Sequence, residues 1–513
     1  MLHVVAVAAR CCAGDGIADE FYVTFTLVEG EVGFRILNGT HQFGFDSTRA
    51  DSRAVVVVAD DGNLTELQDC WRSRFPRYYG KFHIFMSLDL IDRSTVPLLL
   101  KSDCLAGIIT HPVAMVDDNK PLSHDASCPN TESGFFYDDG CHNNAWNEEG
   151  YILLEGLRNI DWKMQILYVH NQTYIDAIRK CHDLFNVPAN GSSSVSYPLC
   201  GISFGKFNSA AGSSEICMRR SGSWVQLLNI FSGHFESLCD PLTGINVIAH
   251  IPIKFYVGGN SSQAATRYLM LAARMDSFGL IPDISPGEVS VVTSVIALLA
   301  VLQAVGKHLD SFKQAALSSD RHLLVAFFDG ESFDYIGSSR AAFDMKRGYF
   351  PRKVHNHLTE QLEPIDASQL EGIIEVQQLG TGDGAKLYAL ADGAQVRNGQ
   401  LNDLLFSLES GASAVGGTIV RPKGDAKMPP SSWHSFSRLN YSVPGVLLAP
   451  FLAKYNYRRV NSMLDYAGWN GTRRLTAISQ VTVAANALLR AAADHVKLDA
   501  KFTSTLRVDE GFV

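Results

Sequence analysis

Basic clusters are missing from this sequence of 513 residues. Its 44 Lys and Arg residues are outnumbered by 53 Asp and Glu residues, which gives a formal net charge of -9, and no segment is rich in Lys and Arg. This pattern excludes DNA or RNA as the principal partner, because nucleic-acid-binding proteins carry basic patches. Charged residues are also few, at 19% against 46% hydrophobic residues, so the chain is not mainly disordered. The length predicts about two to four folded domains.

One apolar run has nearly the length of a membrane span. It extends from Val289 to Gly306, 18 residues without a charge. Four polar side chains interrupt it, and Glu288 and Lys307 bound it, so a helix buried between a sheet and other helices explains it at least as well. At the N-terminus, the apolar stretch of residues 4–9 is shorter than the core of a signal peptide. Residues 1–16 are therefore interpreted as a remnant leader.

Cysteine is absent from the whole second half of the chain, since all ten cysteines lie between Cys11 and Cys239. This distribution indicates a disulfide-tied N-terminal region. Three pairs in loop-like surroundings have separations of 13, 19 and 22 residues, which suit short disulfide loops, although spacing alone does not establish the pairing. These pairs are Cys128 with Cys141, Cys181 with Cys200, and Cys217 with Cys239. A zinc site is the rival interpretation, but no C-x-x-C pair supports it.

Asparagine sequons agree with a secretory route. Seven N-x-S/T motifs are present, of which a few would arise by chance. The candidate glycosylation sites are Asn38, Asn63, Asn171, Asn190, Asn260, Asn440 and Asn470. They support passage through the secretory pathway without establishing it.

The pattern of apolar and polar residues changes near Pro241. Before it, short strand-like runs alternate with long polar loops. After it, apolar strands alternate with helical patterns, which predicts a mostly parallel sheet with helices on both faces. Sites in such sheets gather beyond the carboxyl ends of the strands. Asp276 follows one predicted strand and Glu331 follows another, so we expect both side chains to face the same crevice.

The segment around Glu331 reads FFDGESFDYIGSSR (residues 327–340) and contains the motif DYIGS. With it stand the shorter segments NGTHQFG (38–44), CPN (128–130), PLC (198–200), CMRR (217–220), CDPL (239–242), MDS (275–277) and PPSS (429–432). Together these segments closely resemble the nicastrin family of gamma-secretase subunits. The resemblance covers about residues 20–496. It also implies the three cysteine pairs proposed above and leaves Cys11, Cys12, Cys70 and Cys104 unassigned.

The resemblance implies an α/β fold in two lobes. Residues 17–238 would form a smaller disulfide-tied α/β lobe with an extended capping loop, and residues 239–496 would form an aminopeptidase-like large lobe with a mostly parallel central sheet flanked by helices. Residues 497–513 resemble nothing in the family. Further lumenal sequence and a membrane helix would follow residue 496, so the chain is expected to be a truncated gene model, a splice form or a fragment.

Comparison with di-zinc aminopeptidases, whose fold the large lobe should share, tests enzymatic competence. The peptidase motif His-x-Asp corresponds to Arg274-Met275-Asp276, and arginine cannot ligate zinc. The pair of glutamates that serve as general base and ligand corresponds to Glu331 and Ser332. Because a di-zinc site needs several carboxylate and imidazole ligands, we expect a pseudo-enzyme without catalytic residues, metal or cofactor. The alternative is an active metal-dependent aminopeptidase or cyclase with divergent ligands.

The family's function would be to stabilise gamma-secretase with presenilin and the small membrane subunits, and to admit type I membrane protein stubs such as Notch-like and amyloid-precursor-like substrates. The full-length protein would be a single-pass type I membrane protein with a lumenal or extracellular ectodomain, present from the ER and Golgi to the plasma membrane. The span itself would be missing from this chain. A scaffold with no substrate role is a further alternative.

The candidate site is a vestigial pocket in the large lobe. Its predicted residues are Glu331, Asp334, Tyr335, Ile336, Gly337, Ser338, Asp276 and Arg274. Two selection mechanisms are compatible with these residues: Glu331 pairs with a substrate's free amino terminus, or the bulky lobes exclude substrates that have not shed their ectodomains. Glu331 is also expected as a satisfied carboxylate at a helix N-terminus, a role that does not exclude substrate binding. Tyr335 is expected either to line the pocket or simply to pack. Trp146 is expected either to pin the capping loop onto the large lobe or to be an ordinary core residue.

Overall fold

Two seven-stranded sheets organise the part of the chain that the computed structural model describes. The chain divides into two compact units. Unit 1 comprises Met1–Asp117, Leu157–Asp240 and Leu280–Ile284, and unit 2 comprises Asp118–Gly156, Pro241–Gly279 and Ser285–Val513. The described residues are 22–27, 30–32, 35–37, 42–45, 53–92, 94–113, 160–162, 164–205, 213, 215–216, 243–253, 266–279, 281, 284–333, 335–351, 363–382, 384–453, 455–466, 468–469 and 471–513.

Unit 1 is built on a mixed sheet with the order β1-β10-β5-β6-β7-β9-β2. Strands β5, β6, β7 and β9 are mutually parallel neighbours, whereas β10 is antiparallel to β5. A small second sheet has the order β3-β4-β8. The elements are β1 (Tyr22–Leu27), β2 (Glu31–Val32), β3 (Arg35–Leu37), β4 (Gln42–Phe45), β5 (Arg53–Val58), β6 (Phe82–Ser87), α1 (Val96–Lys101), β7 (Leu105–His111), β8 (Asp161–Trp162), β9 (Gln165–Tyr168), α2 (Gln172–Phe185) and β10 (Leu199–Phe204).

Two disulfides lie in unit 1. Cys181 on α2 is bonded to Cys200 on β10, which is one of the three predicted pairs. Cys70 is bonded to Cys104, a pair that the sequence had left unassigned. The other cysteines of the predicted pairs lie outside the described residues, and so do Cys11, Cys12 and Trp146.

Unit 2 is built on a sheet with the order β11-β13-β12-β14-β17-β15-β16. Its centre, β13-β12-β14-β17, is parallel, while β11 and β15 are antiparallel to their inner neighbours. The elements are β11 (Val247–Ile251), β12 (Arg267–Arg274), α3 (Thr293–Lys307), α4 (Leu309–Ser319), β13 (Arg321–Phe328), α5 (Ile336–Lys346), β14 (Leu370–Val376), β15 (Lys386–Leu390), α6 (Gly393–Arg397), α7 (Asn402–Ser413), β16 (Thr418–Val420), α8 (Trp433–Ser437), β17 (Gly445–Ala449), α9 (Gly471–His495) and α10 (Ala500–Thr505).

Helices cover both faces of this sheet because alternate strand residues point to opposite sides. Leu269 and Leu271 of β12 join one core with side chains of α3, α4, α7 and α9. Met270 and Ala272 join another core with side chains of α5 and α8. Beyond α9, Leu506 is buried in the first of these cores.

The long apolar run forms a helix of the large-lobe core. A π-helical turn, Glu288–Val292, leads directly into α3. Ala297, Val301 and Val305 are buried against the sheet and α9. Among the described residues, Glu288–Lys307 is the one helix long and apolar enough to cross a membrane, but 61% of its apolar window is buried inside the protein. The interpretation as a buried helix is confirmed.

Candidate functional site

The predicted site residues converge where the central strands of unit 2 end. Strand β12 ends at Arg274 and is followed by Asp276, and β13 ends at Phe328 and is followed by Glu331. Because β12 and β13 are parallel neighbours, their carboxyl ends meet at one edge of the sheet. The backbone N–H of Glu331 donates to Asp276 Oδ1 at 2.9 Å. The two acidic residues that the sequence analysis selected therefore do lie together.

Both carboxyl oxygens of Asp276 accept hydrogen bonds from the loop that follows β13. Its Oδ1 accepts from the N–H of Glu331, and its Oδ2 accepts from the N–H of Ser332 at 2.9 Å. The hydroxyl of Ser332 also donates to Oδ2. The serine at the position of a peptidase ligand thus supplies two of the three donors that hold this carboxyl group.

Glu331 is 2% exposed and uses both carboxyl oxygens. Its Oε1 accepts from the N–H of Ser338 at 2.7 Å, and its Oε2 accepts from the hydroxyl of Ser432 at 2.6 Å. Ser338 lies in the first turn of α5, where backbone N–H groups have no partner within the helix. Burial raises the pKa of Glu331 to about 8, although the hydrogen bonds from Ser432 and Ser338 act in the opposite direction. The carboxyl group therefore ties the start of α5 to the segment before α8.

Glu375 on β14 belongs to the same cluster, although the sequence analysis did not select it. Its Oε2 accepts from the N–H of Ser432 at 2.7 Å and its Oε1 from the side-chain amide of Gln377 at 2.6 Å. Burial raises the pKa of Glu375 to about 7. A glutamate inside the apolar run Gly372-Ile-Ile-Glu-Val was the available signal. Ser432 joins the two glutamates, because its N–H donates to one and its hydroxyl to the other.

Asp465 is a second acidic residue that sequence reasoning missed. It is fully buried and accepts from the hydroxyls of Ser290 and Tyr457, the latter at 3.0 Å. Burial raises the pKa of Asp465, and the Ser290 hydrogen bond acts against that rise. Ser290 lies in the π-helical turn that follows Gly287. A serine there donates to a carboxyl group from a distant segment of the chain.

Arg274 is the cation of this edge and is only 7% exposed. Its positive charge lowers the pKa of Glu375 and of Asp465, in both cases against the larger effect of burial. No described residue makes a hydrogen bond to its Nε or Nη2 atom. The sequence analysis placed Arg274 here, and the structure does so as well.

The DYIGS segment forms the start of α5. Tyr335 is buried, has a φ of 62°, and precedes the first helical residue, Ile336. A Cβ atom on Gly337 would overlap the carbonyl oxygen of Asp329, so this position requires glycine. Burial raises the pKa of Tyr335 well above its ordinary value. Asp334 lies outside the described residues.

Four of the predicted sequons can be located. Asn63 and Asn190 are exposed, and Asn171 and Asn440 are half-buried. In Asn63 and Asn440 the Oδ1 atom accepts from the hydroxyl of the third sequon residue, which leaves the amide nitrogen as the group for attachment. Asn38, Asn260 and Asn470 lie outside the described residues.

The donor set does not fit a metal ion. Within the described ranges, no group of three His, Cys, Asp or Glu side chains is arranged to hold one. Arg274 is a cation that cannot ligate a metal, and Asp276 already accepts from Glu331 and Ser332. What remains is a polar edge of buried carboxyl groups with one guanidinium.

Known proteins resemble this chain in both units. The family model of the nicastrin large lobe matches residues 267–495, and that of the nicastrin small lobe matches residues 32–210. Nicastrin of Caenorhabditis elegans is 36% identical over 99% of this chain and 72% of its own length. Nicastrin of Homo sapiens is 27% identical over 91% of this chain and 62% of its own length.

A solved structure confirms the predicted α/β fold class. The crystal structure of the gamma-secretase component nicastrin matches with a TM-score of 0.63 at 18% identity, over 95% of this chain and 77% of that one. The small-lobe model covers β3 to β10 of unit 1, and the large-lobe model covers β12 to β17 of unit 2. The chain belongs to the nicastrin family.

Proposed function

We propose that this chain is a non-catalytic component of a gamma-secretase-type intramembrane protease, in which it supports assembly and the selection of membrane protein stubs. Its partners would be presenilin, the small membrane subunits and type I substrates of the Notch-like and amyloid-precursor-like kind. The support is membership of the nicastrin family and the fold shared with a protein described as a gamma-secretase component. The complex would be membrane-anchored, with the glycosylated lobes on the lumenal or extracellular side.

The hydrogen bonding of Asp276 is the observation that carries the non-catalytic assignment. A zinc ion at this carboxyl group would have to displace donors from Glu331 and Ser332, two of which are backbone N–H groups fixed by the loop. Arg274 would also place a positive charge beside the ion. Both features oppose metal-assisted hydrolysis, since that chemistry needs open coordination positions.

Glu331 is better suited to position structure than to bind an ammonium group. Both of its oxygens accept hydrogen bonds, from Ser338 and from Ser432, and the side chain is almost completely buried. With its pKa raised to about 8, it is mostly uncharged at neutral pH and offers little attraction to an amino terminus. We therefore propose that the lobes select substrates by excluding those with large ectodomains. The capping role of Trp146 remains a prediction.

A two-arm experiment with Glu331→Gln tests this function. The amide can accept from Ser338 N–H and donate to the Ser432 hydroxyl, so the positioning contacts are retained. In cells that lack their own nicastrin, we expect the variant to copurify with presenilin and to support stub cleavage as the wild type does. Glu409→Gln, which alters a surface pair with Arg421, is the matched control.

Normal assembly with lost cleavage in Glu331→Gln would instead assign Glu331 to substrate recruitment. The second arm measures zinc content and aminopeptidase turnover of the purified chain, and we expect neither stoichiometric zinc nor turnover. Stoichiometric zinc with turnover that Glu331→Gln abolishes would establish the metal-dependent peptidase or cyclase alternative.

A further inference from the structure

Several buried polar atoms without hydrogen-bond partners belong to residues at or near the carboxyl ends of the large-lobe strands. Among the described residues, no hydrogen-bond partner exists for Nε and Nη2 of Arg274, for the hydroxyls of Ser277 and Ser431, or for the side-chain oxygen of Gln378. Ser277 follows β12, Gln378 follows β14, and Ser431 precedes α8. Folded proteins pair nearly all buried polar groups, so this set calls for an explanation.

Arg274 is the most demanding member of the set because it carries a full charge. It is 7% exposed, whereas Arg179 and Arg421, which pair with carboxylates, have side chains that are 39% and 45% exposed. Burying a guanidinium is costly unless an anion or several acceptors accompany it. The nearby carboxyl groups do not act as these acceptors, since none of them hydrogen-bonds to Nε or Nη2 of Arg274.

The two unpartnered nitrogens form the edge that binds carboxylates side-on. Nε–H and Nη2–H point in parallel and match the two oxygens of a carboxylate. Arg421 shows this geometry in the same chain, because its Nε and Nη2 each donate to one oxygen of Glu409 at 2.6 Å. Arg179 directs the same pair of atoms to Asp60. Arg274 presents an equivalent edge without such a partner.

The acidic neighbours of Arg274 are satisfied by other donors. Asp276 accepts from the loop after β13, Glu375 from Gln377 and Ser432, and Asp465 from Ser290 and Tyr457. Rotating any of these carboxyl groups toward Arg274 would break contacts that hold separate segments together. An incoming carboxylate would leave those contacts intact, although it would have to displace the atoms that bury the two nitrogens.

We propose that Arg274 is a recognition group for the carboxylate of a bound peptide, held by Nε and Nη2. The carboxylate is either a free C-terminus or an acidic side chain, and the hydroxyls of Ser277 and Ser431 and the amide of Gln378 are the groups available to adjoining polar atoms. The charge of this ligand group is opposite to that of the amino terminus expected at Glu331. Where the peptide is a type I substrate stub, its C-terminus lies across the membrane from the lobes, so the carboxylate is then an acidic side chain and the inference rests on the proposed function.

Isothermal titration of the full chain with short blocked peptides tests the inference. Acetyl-Ala-Ala with a free C-terminus is compared with acetyl-Ala-Ala-amide, and acetyl-Ala-Glu-Ala-amide offers a side-chain carboxylate. We expect at least one carboxylate probe to bind roughly tenfold more tightly than the uncharged amide, and the preferred probe identifies the source. Sodium acetate serves as the arm for a free small anion. Equal affinities, or no binding at roughly 10 mM ligand, would overturn the proposal.

Arg274→Lys and Arg421→Lys form a matched pair of variants. Lysine keeps the charge but loses the two-pronged donor edge, so Arg274→Lys is expected to weaken the preferred probe by roughly tenfold while Arg421→Lys leaves it unchanged. Unchanged affinity in folded Arg274→Lys would contradict the assignment. If that variant fails to fold, the wild-type comparison of acid and amide probes decides alone. Binding is measured without the other subunits, so its failure is distinguishable from failure of the assembly and cleavage tests.

Discussion

Replacing Glu331 by glutamine should change how the stability of the large lobe depends on pH. The wild-type carboxyl group is buried with a pKa of about 8, compared with an ordinary value of 4.5. Glutamine resembles the protonated acid, can keep the contacts with Ser338 and Ser432, and does not titrate. The difference between the two proteins therefore isolates the ionisation of one side chain.

The sign and size of this difference in stability follow from proton linkage. Because the folded-state pKa of Glu331 is raised, its protonated form contributes stability that is complete below about pH 4.5 and is lost as the pH rises through about 8. At 1.36 kcal/mol per pKa unit, the wild type should lose on the order of 3 to 4 kcal/mol relative to the variant between about pH 5 and 8. Glu331→Gln should thus be the more stable protein at the upper end of this window.

Hydrogen exchange of the segment Ile336–Lys346 measures this effect where Glu331 holds the helix. Comparing the two proteins at each pH cancels the pH dependence of intrinsic exchange and the titration of other groups. Glu409→Gln, at the surface, provides the control and should show no such trend. If the difference between wild type and Glu331→Gln is the same at both ends of the window, Glu331 does not titrate as a buried acid and the reasoning is refuted.

Two further predictions concern backbone packing and covalent ties. Gly337→Ala should destabilise unit 2 by about 2 kcal/mol or more in urea unfolding, because the new Cβ overlaps the carbonyl of Asp329. The control Gly306→Ala places its Cβ where no atom lies within 4 Å and should be neutral or slightly stabilising. Similar losses of stability in both variants would contradict this packing. Replacing Cys181 and Cys200 by serine should cost unit 1 about 3 kcal/mol, measured as faster hydrogen exchange in α2, and unchanged exchange would show that the bond contributes nothing.

The central strands could be predicted because they are buried on both faces. The apolar runs that precede Asp276 and Glu331 predicted the strands observed as Arg267–Arg274 and Arg321–Phe328. Continuous apolar runs of this kind are typical of parallel sheets. The strands Lys386–Leu390 and Thr418–Val420 were missed, since they are short and their pairing depends on distant partners.

Site residues could be predicted only where their place directly after a strand indicated them. Asp276 and Glu331 each follow a strong strand, so their meeting at one edge could be expected. Asp465 could not, because its partners Ser290, in the π-helical turn before α3, and Tyr457 lie in separate segments that no pattern in the sequence links. Hydrogen-bond partners that are far apart in the chain are fixed by the assembled fold and not by spacing.

The carboxyl edge of the large-lobe sheet buries three acidic side chains. Burying Glu331, Glu375 and Asp465 without a metal disfavours their charged forms, which is why burial raises the pKa of all three. Each is also held by donors from a different segment, so the acids now join the ends of strands to the loops and helices around them. Arg274 differs from them because it can neither neutralise itself nor reach a donor-free carboxyl group. Among the described residues, Arg274 is therefore a charged group of this edge whose Nε and Nη2 lack a hydrogen-bond partner, alongside the uncharged side chains of Ser277, Ser431 and Gln378.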